Sequence, residues 1–357
     1  MQHRGRFIAG FVMMALVVVL SSGCLKSSGK TIIKTDGWAE NHFYTTDGRL
    51  FVSGEQNVYE VVQNPETGTY ERITLYNVMN QCIPKGIMHM FHGIAEYDGY
   101  LLLACNRLTV KGIIPLLLYA RLDEITVDDA GKPIENLFKE IKINDLNVNG
   151  DASVTYANGM AVDNYGHIYI GDSPGNNRSI KRISIGVLTD DNADNDFFDL
   201  KVLIHEQANG MTIDGDNLFY SHLGSNNESM IRKLDLASVV EDATGNLTVG
   251  EPETVLSTTA DYYDDLSIYK SDGKKGLLVS NFIGGCVIAV PLYDPEGKRK
   301  IKFDIPSRGY FASPSSVRQA ASPMFERNEI TVTELGAYGL CDNVGNRLSS
   351  FICDDLP

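Results

Sequence analysis

The feature that most constrains this chain is a template that returns six times. In each copy a polar residue opens a short β-type run, a turn follows, and a second, more apolar run arrives. The copies are ENHFYTTDGRLFVSG from Glu40, HGIAEYDGYLLLACN from His92, NGMAVDNYGHIYIGD from Asn158, NGMTIDGDNLFYSH from Asn209, DDLSIYKSDGKKGLLVSN from Asp264 and SSVRQAASPMFERNEITVTE from Ser315. Successive openings lie 52, 66, 51, 55 and 51 residues apart. Long apolar stretches with helical spacing do not occur after residue 30, so the runs read as strands separated by Asp, Asn and Gly turns. Repeats of this length, each with room for four short strands, mark a propeller. The expected fold class is all-β: a six-bladed β-propeller.

Details within the units agree. Ile168, Ile170, Leu218, Tyr220, Leu277 and Val279 are residues suited to a sheet packed by neighbours on both faces. Asp163-Asn164-Tyr165-Gly166 and Asp214-Gly215-Asp216-Asn217 carry the residue types of tight reversals. The last unit, from Ser315 through 330–334 to 347–352, supplies only three strands. The spare run Thr31–Thr35 is therefore expected to complete it, removing the open edge that a broken ring would present. One domain, 31–357, accounts for the repeat.

Upstream, Arg4 and Arg6 precede an uninterrupted apolar run from Phe7 to Leu20, then Ser21, Ser22, Gly23 and Cys24. That order is the layout of an export signal, and the run is shorter than the roughly 20 residues a membrane-spanning helix needs. The Gly-Cys ending resembles the lipobox of bacterial lipoproteins, although Leu20 stands four residues before the cysteine, where such motifs place Leu three before. The implied organisation is a signal peptide over 1–23, lipidation at Cys24 and a short tether over 24–30. Leu25, rather than Asp, follows Cys24, which by the lipoprotein sorting rule points to the outer membrane, facing the periplasm. An uncleaved anchor helix is the alternative, and either way the body of the chain is exported and membrane-tethered.

Removing 1–23 leaves 334 residues and shifts the formal net charge from −15 to −17, because Arg4 and Arg6 are lost and no acidic residue is. Nucleic acid is an unsuitable partner for such a surface, since phosphate backbones need clustered Lys and Arg. An acidic surface favours solubility and attracts cations. Cys82, Cys105, Cys286, Cys341 and Cys353 remain after Cys24; an odd number leaves at least one thiol unpaired within the chain. Cys341 with Cys353 is a plausible bridge in an oxidising compartment, buried thiols the alternative.

The first residue of each innermost propeller strand points into one shared channel mouth. Here those residues are Glu40, His92, Asn158, Asn209, Asp264 and Ser315. Second strands return to the same face, which brings Asn106, Asp172, His222, Asn281 and Glu334 to the rim. Carboxylate and amide oxygens in this proportion suit calcium, which takes six to eight oxygen ligands; zinc would ask for His and Cys. Asn-Gly before a strand is also an ordinary turn, and Asp264-Asp265 is also readable as a solvated loop. The shared register distinguishes the metal reading.

The openings HGIA, NGMAVD, NGMTID and DDLSI resemble those of the calcium-dependent six-bladed propellers: regucalcin and gluconolactonase, the paraoxonases and the strictosidine synthase-like proteins. The resemblance covers the whole propeller in architecture, and its motifs are short. It implies a calcium ion held by Glu40, Asn158, Asn209 and Asp264, with Asn41 and Asp265 as secondary candidates. His92 matches a paraoxonase histidine that helps activate water, whereas the position of its partner histidine falls near Arg107. The implied activity is hydrolysis of a small lactone or ester, with His92 or Asp264 as base; His222 would be a substrate contact or a bystander. A non-catalytic propeller that binds a protein or sugar is the competing expectation, and a strictosidine synthase-like lyase a third. A monomer is expected.

Overall fold

In the computed structural model the described residues are 29–54, 57–77, 88–126, 137–143, 154–173, 178–184, 200–292, 301–304, 313–326, 328–335, 346–353 and 356. The expected signal segment 1–23, Cys24 and most of the expected tether lie outside them. Among the described residues no helix is long and apolar enough to cross a membrane.

Six four-stranded antiparallel sheets follow one another along the chain. Blade 1 comprises Ala39–Tyr44, Leu50–Gly54, Asn57–Gln63 and Tyr70–Asn77, and blade 2 Met88–Tyr97, Tyr100–Thr109, Gly112–Arg121 and Lys139–Lys142. Blade 3 comprises Ala157–Val162, His167–Asp172, Ser179–Ser184 and Leu200–Ile204. Blade 4 comprises Met211–Asp214, Asn217–Leu223, Ser229–Asp235 and Glu253–Thr258, with a small hairpin, Val240–Glu241 and Leu247–Thr248, before its last strand. Blade 5 comprises Tyr263–Ser271, Lys274–Asn281, Cys286–Pro291 and Ile301–Asp304. Blade 6 comprises Ser313–Gln319, Glu329–Leu335 and Arg347–Ile352, and its fourth strand is Lys30–Lys34 from the other end of the chain. The chain is a six-bladed β-propeller, closed as the sequence predicts.

Each neighbouring pair of blades encloses its own apolar core. The run Leu101-Leu102-Leu103-Ala104-Cys105 shows why an unbroken apolar stretch is needed. Leu101, Leu103 and Cys105 pack toward blade 1, while Leu102 and Ala104 pack toward blade 3. Alternate residues of one strand thus serve two cores. Corresponding cores lie between blades 3 and 4, 4 and 5, and 5 and 6. The sixth joins Ile32, Ile33 and Leu348 to Ala39, Leu50, Val52, Tyr59 and Val61, and so closes the ring.

The closing strand has a direction that matters. Lys34 pairs with Arg347 and Lys30 with Ser350; Arg347 in turn pairs with Glu334, and Glu334 with Pro314, beside the mouth position Ser315. The chain therefore enters at the face remote from the mouth and runs toward the mouth. Cys341 lies outside the described residues, so its pairing with Cys353 does too; Cys353 is buried against blade 5.

Candidate functional site

Five of the opening residues, Glu40, His92, Asn209, Asp264 and Ser315, are linked at one end of the channel, and Asn158 opens the inner strand of blade 3 at the same level. Each of five inner strands changes register with its neighbour at the opening: Ala39/Asn41, Phe91/Ile94, Ala157/Met160, Tyr263/Leu266 and Pro314/Ser316. In blade 4 regular pairing begins at Met211, just past Asn209. A bulge leaves its residue out of the ladder and turns the side chain, here toward the axis. Alternation alone would not place Glu40 or His92 there.

Glycine follows three of the openings because adjacent inner strands nearly touch. A Cβ on Gly159 would lie 2.1 Å from the Asn209 carbonyl oxygen, and one on Gly210 2.4 Å from the Asp265 Cα. The Asn-Gly pairs are close-approach points, and this contact binds blade 3 to blade 4 and blade 4 to blade 5.

Two hydrogen-bonded strings form the mouth. In the first, His92 Nδ1 stands 3.5 Å from Glu40 Oε1, and its Nε2 stands 3.1 Å from the Tyr156 hydroxyl. In the second, the Asn209 amide donates to Asp264 Oδ1 and, at 3.2 Å, to the Tyr262 hydroxyl; Ser315 Oγ donates to Asp264 Oδ2 at 3.0 Å. Glu40 couples the strings electrostatically. Burial first, then the Glu40 charge, hold the Asp264 carboxyl well above the usual carboxylate range, against the Ser315 hydrogen bond; Asp265 adds a smaller push upward. Burial, Asp264 and Glu40 likewise push the Tyr262 phenol up. Asn158 donates to the Ser173 carbonyl at 3.1 Å, which leaves its amide oxygen on the other side of the group.

The residue after the opening carries a separate interaction. Arg318, on the inner strand of blade 6, reaches across to Asp265 Oδ2 at 2.7 Å and Asn41 Oδ1 at 3.0 Å. Asp265 and Asn41, the secondary candidates, thus share one guanidinium, while Glu40 and Asp264 have no arginine or lysine partner among the described residues.

Second-strand ends behave differently from the expectation. Asn106 spends both ends of its amide on the backbone of Ala157, at 2.7 and 2.9 Å. Asp172 accepts from the backbone N–H groups of Thr155 and Tyr156, both at 2.9 Å. Burial raises its carboxyl, against those bonds. Asn281 caps the turn at Gly284, and Glu334 pairs with Arg347 at 3.0 Å. His222 Nδ1 meets the Gln207 carbonyl at 3.0 Å. Asn106, Asp172, Asn281 and Glu334 are fully buried. They lie one strand farther from the axis instead of lining the mouth: Asn106 ties blade 2 to blade 3, while Asp172, Asn281 and Glu334 fix the turns and strands of their own blades. Arg107 pairs with Glu140 and donates to Nε2 of His89 at 2.8 Å. Burial and the Arg107 charge lower the His89 imidazole to about 4. His89 is thus a neutral acceptor, structural in kind.

No family model matches the chain, and no curated protein matches it. Among solved structures, the crystal structure of a glucose dehydrogenase aligns with a TM-score of 0.56 at 9% identity, over 92% of this chain and 99% of that one. Another glucose dehydrogenase gives 0.54 at 10% identity, over 91% and 99%. The likeness is one of fold. At this identity it carries the architecture, and the chemistry has to come from the mouth itself.

Tyr156 and Tyr262 are the site residues that the repeat did not bring out. Both stand two residues before an opening, where blade 1 has Trp38. An aromatic residue recurring at that offset is a signal in the sequence. Among the described residues no three His, Cys, Asp or Glu side chains converge as a metal-holding group. The calcium set draws on two carboxylates, Glu40 and Asp264, with amides for the rest. Its chemistry fits a hard cation: a buried and a partly buried carboxylate repel one another and have amide and hydroxyl groups as neighbours. Asn209 would have to turn its amide to offer oxygen, an exchange of two nearly isosteric ends.

Proposed function

We propose that this chain is a calcium-binding hydrolase of a small lactone or ester, acting at the channel mouth. One observation carries the reading: the partly buried Glu40 and the buried Asp264 have no arginine or lysine partner among the described residues, while Arg318 at the next level is held by Asp265. Glu40, Asn158, Asn209 and Asp264 would hold the ion. When bound, calcium supplies polarisation of the substrate carbonyl and charge for the oxyanion that develops.

The chain's own groups supply the rest. Glu40 orients the imidazole through Nδ1, which makes Nε2 the basic nitrogen and the acceptor of the Tyr156 hydroxyl, so the attacking water would reach Nε2 by displacing that hydroxyl. As water adds to the carbonyl carbon its proton passes to Nε2; when the C–O bond breaks, that proton returns to the leaving alkoxide. Asp264 is the other candidate base. Asp172 is a positioning residue, because it fixes the backbone that carries Tyr156. The N-terminal segment belongs to the same proposal: export, lipidation at Cys24 and a periplasm-facing outer-membrane location, as a monomer.

The experiment is calcium titration of the metal-stripped, soluble chain followed by a panel of lactones and aryl esters, with Asn158→Ala and Asp264→Ala alongside. Calcium should raise the melting temperature and support turnover that both variants lose. Calcium binding without turnover of any substrate favours a binding module in which the ion is structural. A melting temperature indifferent to calcium and chelator would remove the site.

A further inference from the structure

Below the mouth the inner strands line a second space. A cavity of about 260 Å³ lies two to four residues farther along the inner strands, toward the opposite face. Its walls are mostly apolar, with Phe43, Ile94, Met160, Met211 and Ile268 from five successive inner strands, and the sixth strand contributes Arg318. The volume falls just under the roughly 300–1,000 Å³ of sites for drug-sized ligands, so the space suits a short molecule.

Arg318 is incompletely used. Nη1 donates to Asp265 Oδ2, to the Val317 carbonyl at 2.8 Å and to the Leu266 carbonyl at 3.4 Å; Nη2 donates once, to Asn41. A guanidinium has five N–H donors. Nε and one Nη2 hydrogen have no acceptor among the described residues, on a side chain that lines the cavity. Elsewhere in this chain the Nε and Nη2 pair grips carboxylates: Arg49 on Glu60 at 2.7 and 2.8 Å, Arg121 on Asp123, Arg232 on Glu206. Glu96, the acidic wall residue, is already held by the backbone N–H and hydroxyl of Thr46 at 2.7 and 2.8 Å. A dry wall closed by a guanidinium with donors to spare is complementary to a ligand with an apolar tail and one carboxylate.

We propose that this basin binds a short aliphatic carboxylic acid, its carboxylate on Arg318 and its tail against the partly exposed Phe43, Val162, Ile213 and Ile268. The proposal concerns the channel below the mouth and does not rest on the hydrolase reading. The test is calorimetric titration of the folded chain with octanoate and with octan-1-ol, repeated on Arg318→Met, Thr212→Trp and His222→Ala. Octanoate should bind one per chain, at least tenfold tighter than the alcohol. Arg318→Met should weaken it tenfold or more, Thr212→Trp should abolish it by filling the basin, and His222→Ala should leave it within twofold. Should Arg318→Met fail to fold, Thr212→Trp decides, because it keeps the guanidinium. Equal octanoate affinity in the wild type and Thr212→Trp, or loss of binding in His222→Ala, would overturn the proposal. Neither result would bear on calcium or turnover at the mouth.

Discussion

Replacing Gly159 by alanine tests whether the inner strands really meet as closely as described. The added Cβ would sit 2.1 Å from the Asn209 carbonyl oxygen, 2.9 Å from its carbonyl carbon and 3.1 Å from the Gly210 Cα. A carbon–oxygen contact settles at about 3.3 Å, so the inner strands of blades 3 and 4 must part by about 1 Å. All three obstacles are backbone, so no side chain can swing aside. Overpacking of this kind costs about 1–3 kcal/mol, and the large overlap places Gly159→Ala at the upper end. Asn158 and Asn209 flank the contact, so the same displacement separates two of the proposed calcium ligands. The control is Gly215→Ala, where nothing lies within 4 Å but φ is +59°; its cost comes from backbone conformation alone, about 1 kcal/mol. Denaturant titration with and without calcium reads both effects. Gly159→Ala should lose about 3 kcal/mol and at least tenfold in calcium affinity, whereas Gly215→Ala should keep its affinity. Unaltered stability in Gly159→Ala would refute the close-approach account, and lost stability with unaltered affinity would separate that contact from the ligand set.

Three further outcomes follow from other parts of the molecule. Ile33→Ala removes a side chain only 5% exposed in the closing core and should cost about 2–5 kcal/mol by thermal denaturation, against less than about 0.5 for the exposed Lys30→Ala. Asp172→Ala strips acceptors from the Thr155 and Tyr156 backbone, so it should cost about 1–3 kcal/mol and slow turnover, with Asp172→Asn restoring part of both. Asp163 is buried, which alone would raise its carboxyl, but hydrogen bonds from His167 and Tyr169 and the His167 charge hold it below the ordinary value. A depressed folded value adds stability above the unfolded value that is lost as pH falls through the folded one. Acid denaturation followed by circular dichroism should therefore show a shallower pH dependence below about pH 4 in Asp163→Asn, with lower stability at neutral pH.

Much of the architecture was legible because it depends on period and polarity. Six openings at regular intervals located the inner strands, and a three-strand final unit beside a spare N-terminal run located the closure. The 66-residue interval, the one irregular spacing, comes from blade 2, whose first three strands have ten residues each. What escaped were features set by local backbone geometry and by neighbours distant in sequence. Nothing in HGIA or NGMA announces a register shift, yet the shift turns His92 and Asn158 toward the axis. Asn106 and Asp172 carried the right oxygens for a rim, and only the fold shows them satisfied by backbone, Asn106 by that of the next blade and Asp172 by the entry to its own. Arg318 was hidden for a related reason: its partners Asp265 and Asn41 are 53 and 277 residues away in the chain.

The direction of the first strand settles how a leashed molecule would stand. Because Lys30 lies at the underside and Lys34 at the rim, the lipid-anchored leash proposed upstream of Gly29 would hold the propeller by its lower face. Solutes arriving from the bulk then meet Glu40, His92 and Asp264, whereas the Arg318 basin looks toward whatever the leash is fastened to. Moving the attachment point to the other terminus would leave that orientation unchanged, because the last strand runs from Arg347 at the mouth to Ile352 beside Glu329 at the underside.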